Sequence, residues 1–135
     1  MEKLKVEANT DKLDEVLEFL DERLDGNGCN EKAKMQLDIA VEELFVNIAH
    51  YAYPDEENGM AEIEISFSDD MVNITLYDSG TPYDPLAKPD PDITLSAEER
   101  PIGGLGIYMV KKSMDDVRYR HEDGMNILTI SKKIK

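Results

Sequence analysis

Apolar positions recur at spacings of three and four through the first half of the chain, and at spacings of two through the second half. Leu13, Val16, Leu17, Leu20 and Leu24 share one side of a helix. Asn9 or Thr10 is placed to cap it, and Gly26 and Gly28 to stop it. A second, longer helix follows, capped by Asn30 and ending before Pro54, with Leu37, Val41, Leu44, Ile48 and Ala52 as its core stripe. After the turn at 55–59 the period falls to two. Ala61, Ile63, Ile65 and Phe67 alternate with Glu62, Glu64, Ser66 and Ser68, and Val72, Ile74 and Leu76 continue the pattern beyond an Asp69-Asp70 hairpin turn. Residues 3–7 read as a short first strand. A third helix is predicted from about Gly104 to Met114, then a closing hairpin of residues 117–121 and 127–130 around a turn at 122–124.

The order strand, two helices, two strands, long loop, helix, two strands predicts an α+β two-layer sandwich, with a mostly antiparallel mixed sheet covered on one face by about three helices. A parallel doubly wound fold does not fit, because strands and helices do not alternate regularly. One domain over 1–135 is the expectation from length. The segment 79–102 holds five prolines and one glycine, and so long a loop in a compact domain is usually functional.

Charge narrows the partners. The chain has 15 basic and 30 acidic residues, a net charge of −15, which argues against direct nucleic-acid or anionic-membrane binding. The charge is uneven: residues 1–99 hold 7 basic and 26 acidic side chains, whereas 100–135 hold 8 basic and 4 acidic. A solvated acidic surface is the plain explanation, and a C-terminal third that faces phosphates or an acidic partner is the sharper one. No signal peptide or membrane span is read, since even Ile39 to Ala49 is broken by Glu42, Glu43 and Asn47, and the lone Cys29 fits a reducing compartment. A cytoplasmic protein is expected.

Three places suggest chemistry. Glu43 and Asn47 lie one helical turn apart, at the edge of the core stripe. There Asn47 could offer Mg²⁺ a carbonyl oxygen while Glu43 polarises a hydroxyl or water, or the two could be an ordinary solvated pair. Asp78-Ser79-Gly80 follows a strand and could accept from an amine on a closely approaching ligand, or be a simple turn. Gly103-Gly104-Leu105-Gly106 opens the third helix, where bare amides attract phosphate oxygens, though glycine clusters also just end loops. It is not a Walker A loop, because no Gly-Lys-Ser/Thr follows.

Taken together and in this order, these segments resemble the GHKL (Bergerat-fold) ATPase superfamily, and within it the anti-sigma-factor serine/threonine kinases of the RsbW and SpoIIAB type. The resemblance rests on residues 40–47 (Ala-Val-Glu-Glu-Leu-Phe-Val-Asn), 78–85 (Asp-Ser-Gly-Thr-Pro-Tyr-Asp-Pro), 103–110 (Gly-Gly-Leu-Gly-Ile-Tyr-Met-Val) and 126–129 (Asn-Ile-Leu-Thr). It implies a Bergerat fold that binds ATP or ADP with Mg²⁺. Glu43 would be the general base and Asn47 the Mg²⁺ ligand. Asp78 would take the adenine amine, with Gly80 clearing space for the ring. Gly103, Gly104 and Gly106 would lie beside the phosphates, Arg100 would touch the γ-phosphate, and Thr129 would reach towards adenine. Residues 84–102 would form a nucleotide-ordered lid.

The implied function is a protein kinase in a partner switch. It would phosphorylate an anti-anti-sigma (STAS-type) protein and sequester a sigma factor, with homodimerisation a family habit. The alternative is a non-catalytic module of the same fold, in which nucleotide sets affinity for a regulator. One departure stands out: the family often carries His-Ala-Tyr or His-Gly-Tyr after the Asn, whereas this chain has Tyr51-Ala52-Tyr53, with His50 one place earlier. On the helix His50 still faces Glu43's side, so both a role near the phosphates and a place at the rim stay open.

Overall fold

The side chains read as caps mark where helical structure starts. Asn30 Oδ1 accepts from Ala33 N at 2.8 Å and caps the second helix as expected, whereas Asn9 Oδ1, accepting from Asp11 N at 2.8 Å, caps a 3₁₀ turn that leads into the first helix, whose own N-cap, Lys12, makes no side-chain bond. A computed structural model describes residues 2–53, 59–87 and 104–135. Its elements are β1 (Glu2–Glu7), a 3₁₀ turn (Thr10–Lys12), α1 (Leu13–Gly26), α2 (Glu31–Tyr51), β2 (Met60–Ser68), β3 (Met71–Asp78), a second 3₁₀ turn (Pro85–Ala87), α3 (Gly104–Ser113), β4 (Asp116–Glu122) and β5 (Met125–Lys133). Most of the segment expected to form a lid, from residue 88 to 102, lies outside the described residues.

The five strands form one sheet in the order β1-β2-β3-β5-β4, and all four pairings are antiparallel. The expected parallel component is missing among the described residues for a topological reason. The crossover through α3 lays β4 in the same direction as β3, but β5 then folds back between them. Both hairpins turn on left-handed residues, Asp69 (φ 54°) in one, Asp123 (φ 55°) and Gly124 (φ 77°) in the other. Short Asp side chains and glycine tolerate that region, and its twist matches the strands.

All three helices lie on one face of the sheet. The core gathers Val16, Leu20 and Leu24 of α1, Leu37, Val41, Leu44 and Phe45 of α2, and Ile107 and Val110 of α3. These pack onto Ile63, Ile65, Ile74, Leu76, Leu128 and Ile130 of the strands. The buried stripe of α2 is wider than five positions, because Ala33, Ala40 and Phe45 are buried too. α2 has α1 and α3 as neighbours and the sheet beneath, so its buried stripe is broad. Phe45 is fully buried, and its loss to alanine would cost about 3–5 kcal/mol. No helix among the described residues is long and apolar enough to cross a membrane.

Candidate functional site

Where the C-terminal half of α2 passes over the ends of β3 and β5, the layers part into a pocket of about 490 Å³ of empty space, its open mouth included. Leu44, Ile48, Leu76 and Leu128 give it apolar walls, Asn47 and Asp78 supply polar groups, and Tyr51 and Tyr83 stand at the rim. A mainly apolar cleft with a few convergent polar groups is the usual form of a small-molecule site.

Asp78 is the last residue of β3 and is 5% exposed. Its Oδ1 accepts from Asn126 Nδ2 at 2.9 Å and from Gly80 N at 3.0 Å, so its orientation is locked, and Oδ2 has no partner among the described residues. Burial pushes the carboxyl above its ordinary range, while the bonds from Asn126 and Gly80 pull it back. Asn126 is a hub that no role had been read for. Besides Asp78, its Nδ2 donates to Thr81 O at 3.0 Å, and its Oδ1 accepts from Tyr83 N at 3.2 Å and Tyr119 Oη at 2.5 Å. One buried carboxamide thus ties β3, the loop after it, β4 and β5 together around the acceptor. The signal was present in the sequence: Asn126 alternates with Leu128 and Ile130, so a polar side chain falls on the core face of β5, where it must find partners.

The same alternation corrects Thr129. Register pairs Asp78 with Asn126, Leu76 with Leu128 and Thr75 with Thr129. Thr129 therefore stands on the opposite face of the sheet from the pocket, where its hydroxyl meets that of Thr75 at 3.0 Å. A one-residue offset in a strand turns a side chain to the other face.

The role read for Gly80 also changes. A Cβ there would overlap the backbone carbonyl of Ala52, and the next amide, Thr81 N, donates to that carbonyl at 2.8 Å. The missing side chain makes room for the C-terminus of α2 to close the pocket floor, not for a ligand ring. Gly106 makes a comparable approach: a Cβ would overlap the Glu43 carboxylate. Gly106 thus lets the start of α3 press against Glu43, one turn along α2 from Asn47. Gly104 opens α3, whereas Arg100 and Gly103 lie outside the described residues. His50 is exposed, its ring edge-on to Tyr51 at 6.0 Å between centroids, and Tyr51 rather than His50 lines the pocket.

Asn47, Asp78 and the apolar walls are therefore brought into one pocket, with Glu43 and the glycine end of α3 beside it. Among the described residues no three His, Cys, Asp or Glu side chains converge to hold a metal. The donor set fits Mg²⁺ in the way that ion prefers, with one protein oxygen from Asn47 and the remaining positions left to phosphates and water.

Comparisons with known proteins bear on the same residues. The family profile of the histidine kinase-like ATPase domain matches residues 6–132. Serine-protein kinase RsbW of Listeria monocytogenes serovar 1/2a (strain EGD-e) is 30% identical over 105 residues, covering 75% of this chain and 67% of that protein. Serine-protein kinase RsbW of Bacillus cereus (strain AH187) is 34% identical over 96 residues, covering 67% of this chain and 58% of that protein. Among solved structures, the RsbU and RsbW domains of Rv1364c from Mycobacterium tuberculosis superpose with a TM-score of 0.66 at 15% identity, over 99% of this chain and 33% of that one. The catalytic domain of histidine kinase ThkA superposes with a TM-score of 0.56 at 13% identity, over 99% of this chain and 98% of that one. At such identities the structural likeness speaks for the fold.

Proposed function

Because this chain belongs to the histidine kinase-like ATPase domain family, we propose that it is an ATP- and Mg²⁺-dependent serine/threonine protein kinase of the anti-sigma-factor type, acting as a partner switch. Family membership implies ATP as the nucleotide, and the relatives named serine-protein kinase give the reaction class. The observation that carries the reading is a division of labour along α2. Asn47 lines the pocket that holds Asp78, while the Glu43 carboxylate lies one turn away against the glycine end of α3.

In this reading Asp78 Oδ2 accepts from the exocyclic amine of adenine, while Ile48, Leu76 and Leu128 pack against the base. Asn47 holds Mg²⁺, which neutralises phosphate charge when bound. The amides around Gly104 and Gly106 take phosphate oxygens, with Gly103 and Arg100 contributing from the lid. Glu43 accepts the proton of a partner's serine or threonine hydroxyl. The hydroxyl oxygen bonds to the γ-phosphorus, the bond to the bridging oxygen breaks, and ADP leaves. The partner is an anti-anti-sigma protein of STAS type, and its phosphorylation leaves the chain able to hold a sigma factor. In this reading DNA is reached only through that factor, in keeping with the charge of −15, which disfavours direct contact with phosphates.

Calorimetry with Mg²⁺-ATP, followed by transfer from γ-labelled ATP to a purified STAS-domain protein, tests this. Glu43→Gln should lower transfer roughly 10²–10⁴-fold with nucleotide affinity kept, and Asn47→Ala should abolish Mg²⁺-dependent binding. Unchanged turnover in the first variant removes Glu43 as base. Nucleotide binding without transfer in the parent chain would leave the non-catalytic, nucleotide-ordered module instead.

A further inference from the structure

Four lysines from three separate elements line one cleft at the far end of the domain from the nucleotide pocket. Lys32 comes from the first turn of α2, Lys112 from the last turn of α3, and Lys132 and Lys133 from the end of β5. On α2 the cleft's lining ends at Gln36 and the nucleotide pocket's begins at Leu44, so the two are separated by about 12 Å along that helix. The cleft encloses about 620 Å³ of empty space, its open mouth included.

In a chain with twice as many acids as bases, lysines find carboxylates easily. Lys3 has Glu62 and Glu64 at 3.7 and 3.6 Å, Lys34 has Asp25 at 3.1 Å, Arg23 has Glu2 at 3.2 Å, and Arg118 has Asp116 at 2.8 Å. Among the described residues, none of the four cleft lysines has a carboxylate within 4.0 Å. The one acid in the cleft wall, Asp115, is taken by the backbone of Lys133, whose N donates to Oδ2 at 2.6 Å. Helix electrostatics explain only part of this gathering. Lys132 Nζ donates to Ser113 O at 2.6 Å, and Lys112 stands in the last turn of α3, so both complement the negative end of that helix. Lys32 sits at the wrong end of α2 for that purpose, where a cation is disfavoured, and Lys133 belongs to no helix.

We propose that this cleft docks an acidic peptide segment of a protein partner. Several spaced carboxylates suit it better than a single phosphate does. The lysines are distributed over three elements, the cleft has no arginine to grip a phosphate bidentately, and Asn30 already occupies the Ala33 amide that a helix-end anion would use. Residues 100–135, the basic part of an otherwise acidic chain, supply three of the four lysines.

The test is fluorescence anisotropy of a labelled twelve-residue Glu/Ser peptide against the full chain, with a Gln/Ser peptide of equal length as control. The acidic peptide should bind and the neutral one should not. Lys112→Glu with Lys133→Glu should weaken binding by about tenfold or more. Lys5→Glu with Lys12→Glu, which changes net charge by the same amount elsewhere, should leave affinity within about twofold. Thermal unfolding of both double variants checks that they are folded. Equal losses in the two double variants would mean bulk charge rather than a site. No binding of the acidic peptide, or binding only of a single-stranded oligonucleotide competitor, would overturn the proposal.

Discussion

Replacing Asn126 with alanine isolates the part of the pocket that nothing but tertiary structure assembles. The carboxamide is 6% exposed and makes four hydrogen bonds, one of them to the Asp78 carboxylate. A bond to a charged group contributes about 1.5–3 kcal/mol and a neutral one about 1 kcal/mol. Tyr83 N and Thr81 O belong to exposed residues and recover water, so their loss counts for little. The expected destabilisation is therefore about 2–4 kcal/mol, a sizeable share of the ~5–15 kcal/mol that holds a typical domain together. Asp78 would also lose a donor that holds its carboxyl down and oriented, so Mg²⁺-ATP affinity should fall by about tenfold or more. Urea denaturation measures the first quantity and calorimetry the second. Thr129→Ala is the internal comparison. It loses only the hydroxyl contact with Thr75 on the far face of the sheet, so it should cost about 0.5–1 kcal/mol and leave nucleotide affinity unchanged. If Thr129→Ala weakens nucleotide binding while Asn126→Ala does not, the assignment of faces and of the hub is wrong.

The two close-approach glycines should separate stability from activity. Gly106→Ala meets the movable end of the Glu43 side chain, so stability should change by less than about 1 kcal/mol while phosphotransfer is lost through displacement of the carboxylate. Gly80→Ala meets the Ala52 backbone, which cannot step aside, and should cost about 1–3 kcal/mol in urea melts. Asp38 of α2 faces Asp21 of α1, and burial together with the Asp21 contact raises its carboxyl from 3.8 to about 7, with Asp25 adding to and Lys34 opposing the shift. The folded chain then holds a proton that the unfolded chain releases, so Asp38's contribution to stability is present at low pH and is lost as pH rises from about 4 to 7. Asp38→Asn should flatten thermal stability across that window, and an unchanged pH profile would refute the pair.

The elements and much of the site chemistry were legible because their signals are local. Asn9 and Asn30 cap helical turns wherever the chain goes next, since a cap needs only the amides two or three residues on. Alternation marked β2 and β3, and glycine and aspartate marked the hairpins, because side-chain period and left-handed φ are properties of a few consecutive residues. Glu43, Asn47 and Asp78 could be singled out for the same reason, each being an acid or amide at the margin of an apolar pattern. Pairing across the sheet decided the rest. Whether Asn126 or Thr129 meets Asp78 depends on a register set by β5 inserting between β3 and β4, and a shift of one residue exchanges the two. Only the packing shows that the Ala52 carbonyl and the Glu43 carboxylate stand where side chains on Gly80 and Gly106 would be. The lysine cleft joins charges that lie as much as 101 positions apart, from Lys32 to Lys133, and only the meeting of α2, α3 and β5 makes them neighbours. Local stereochemistry thus determined what each segment is, and burial of one shared core determined which segments meet.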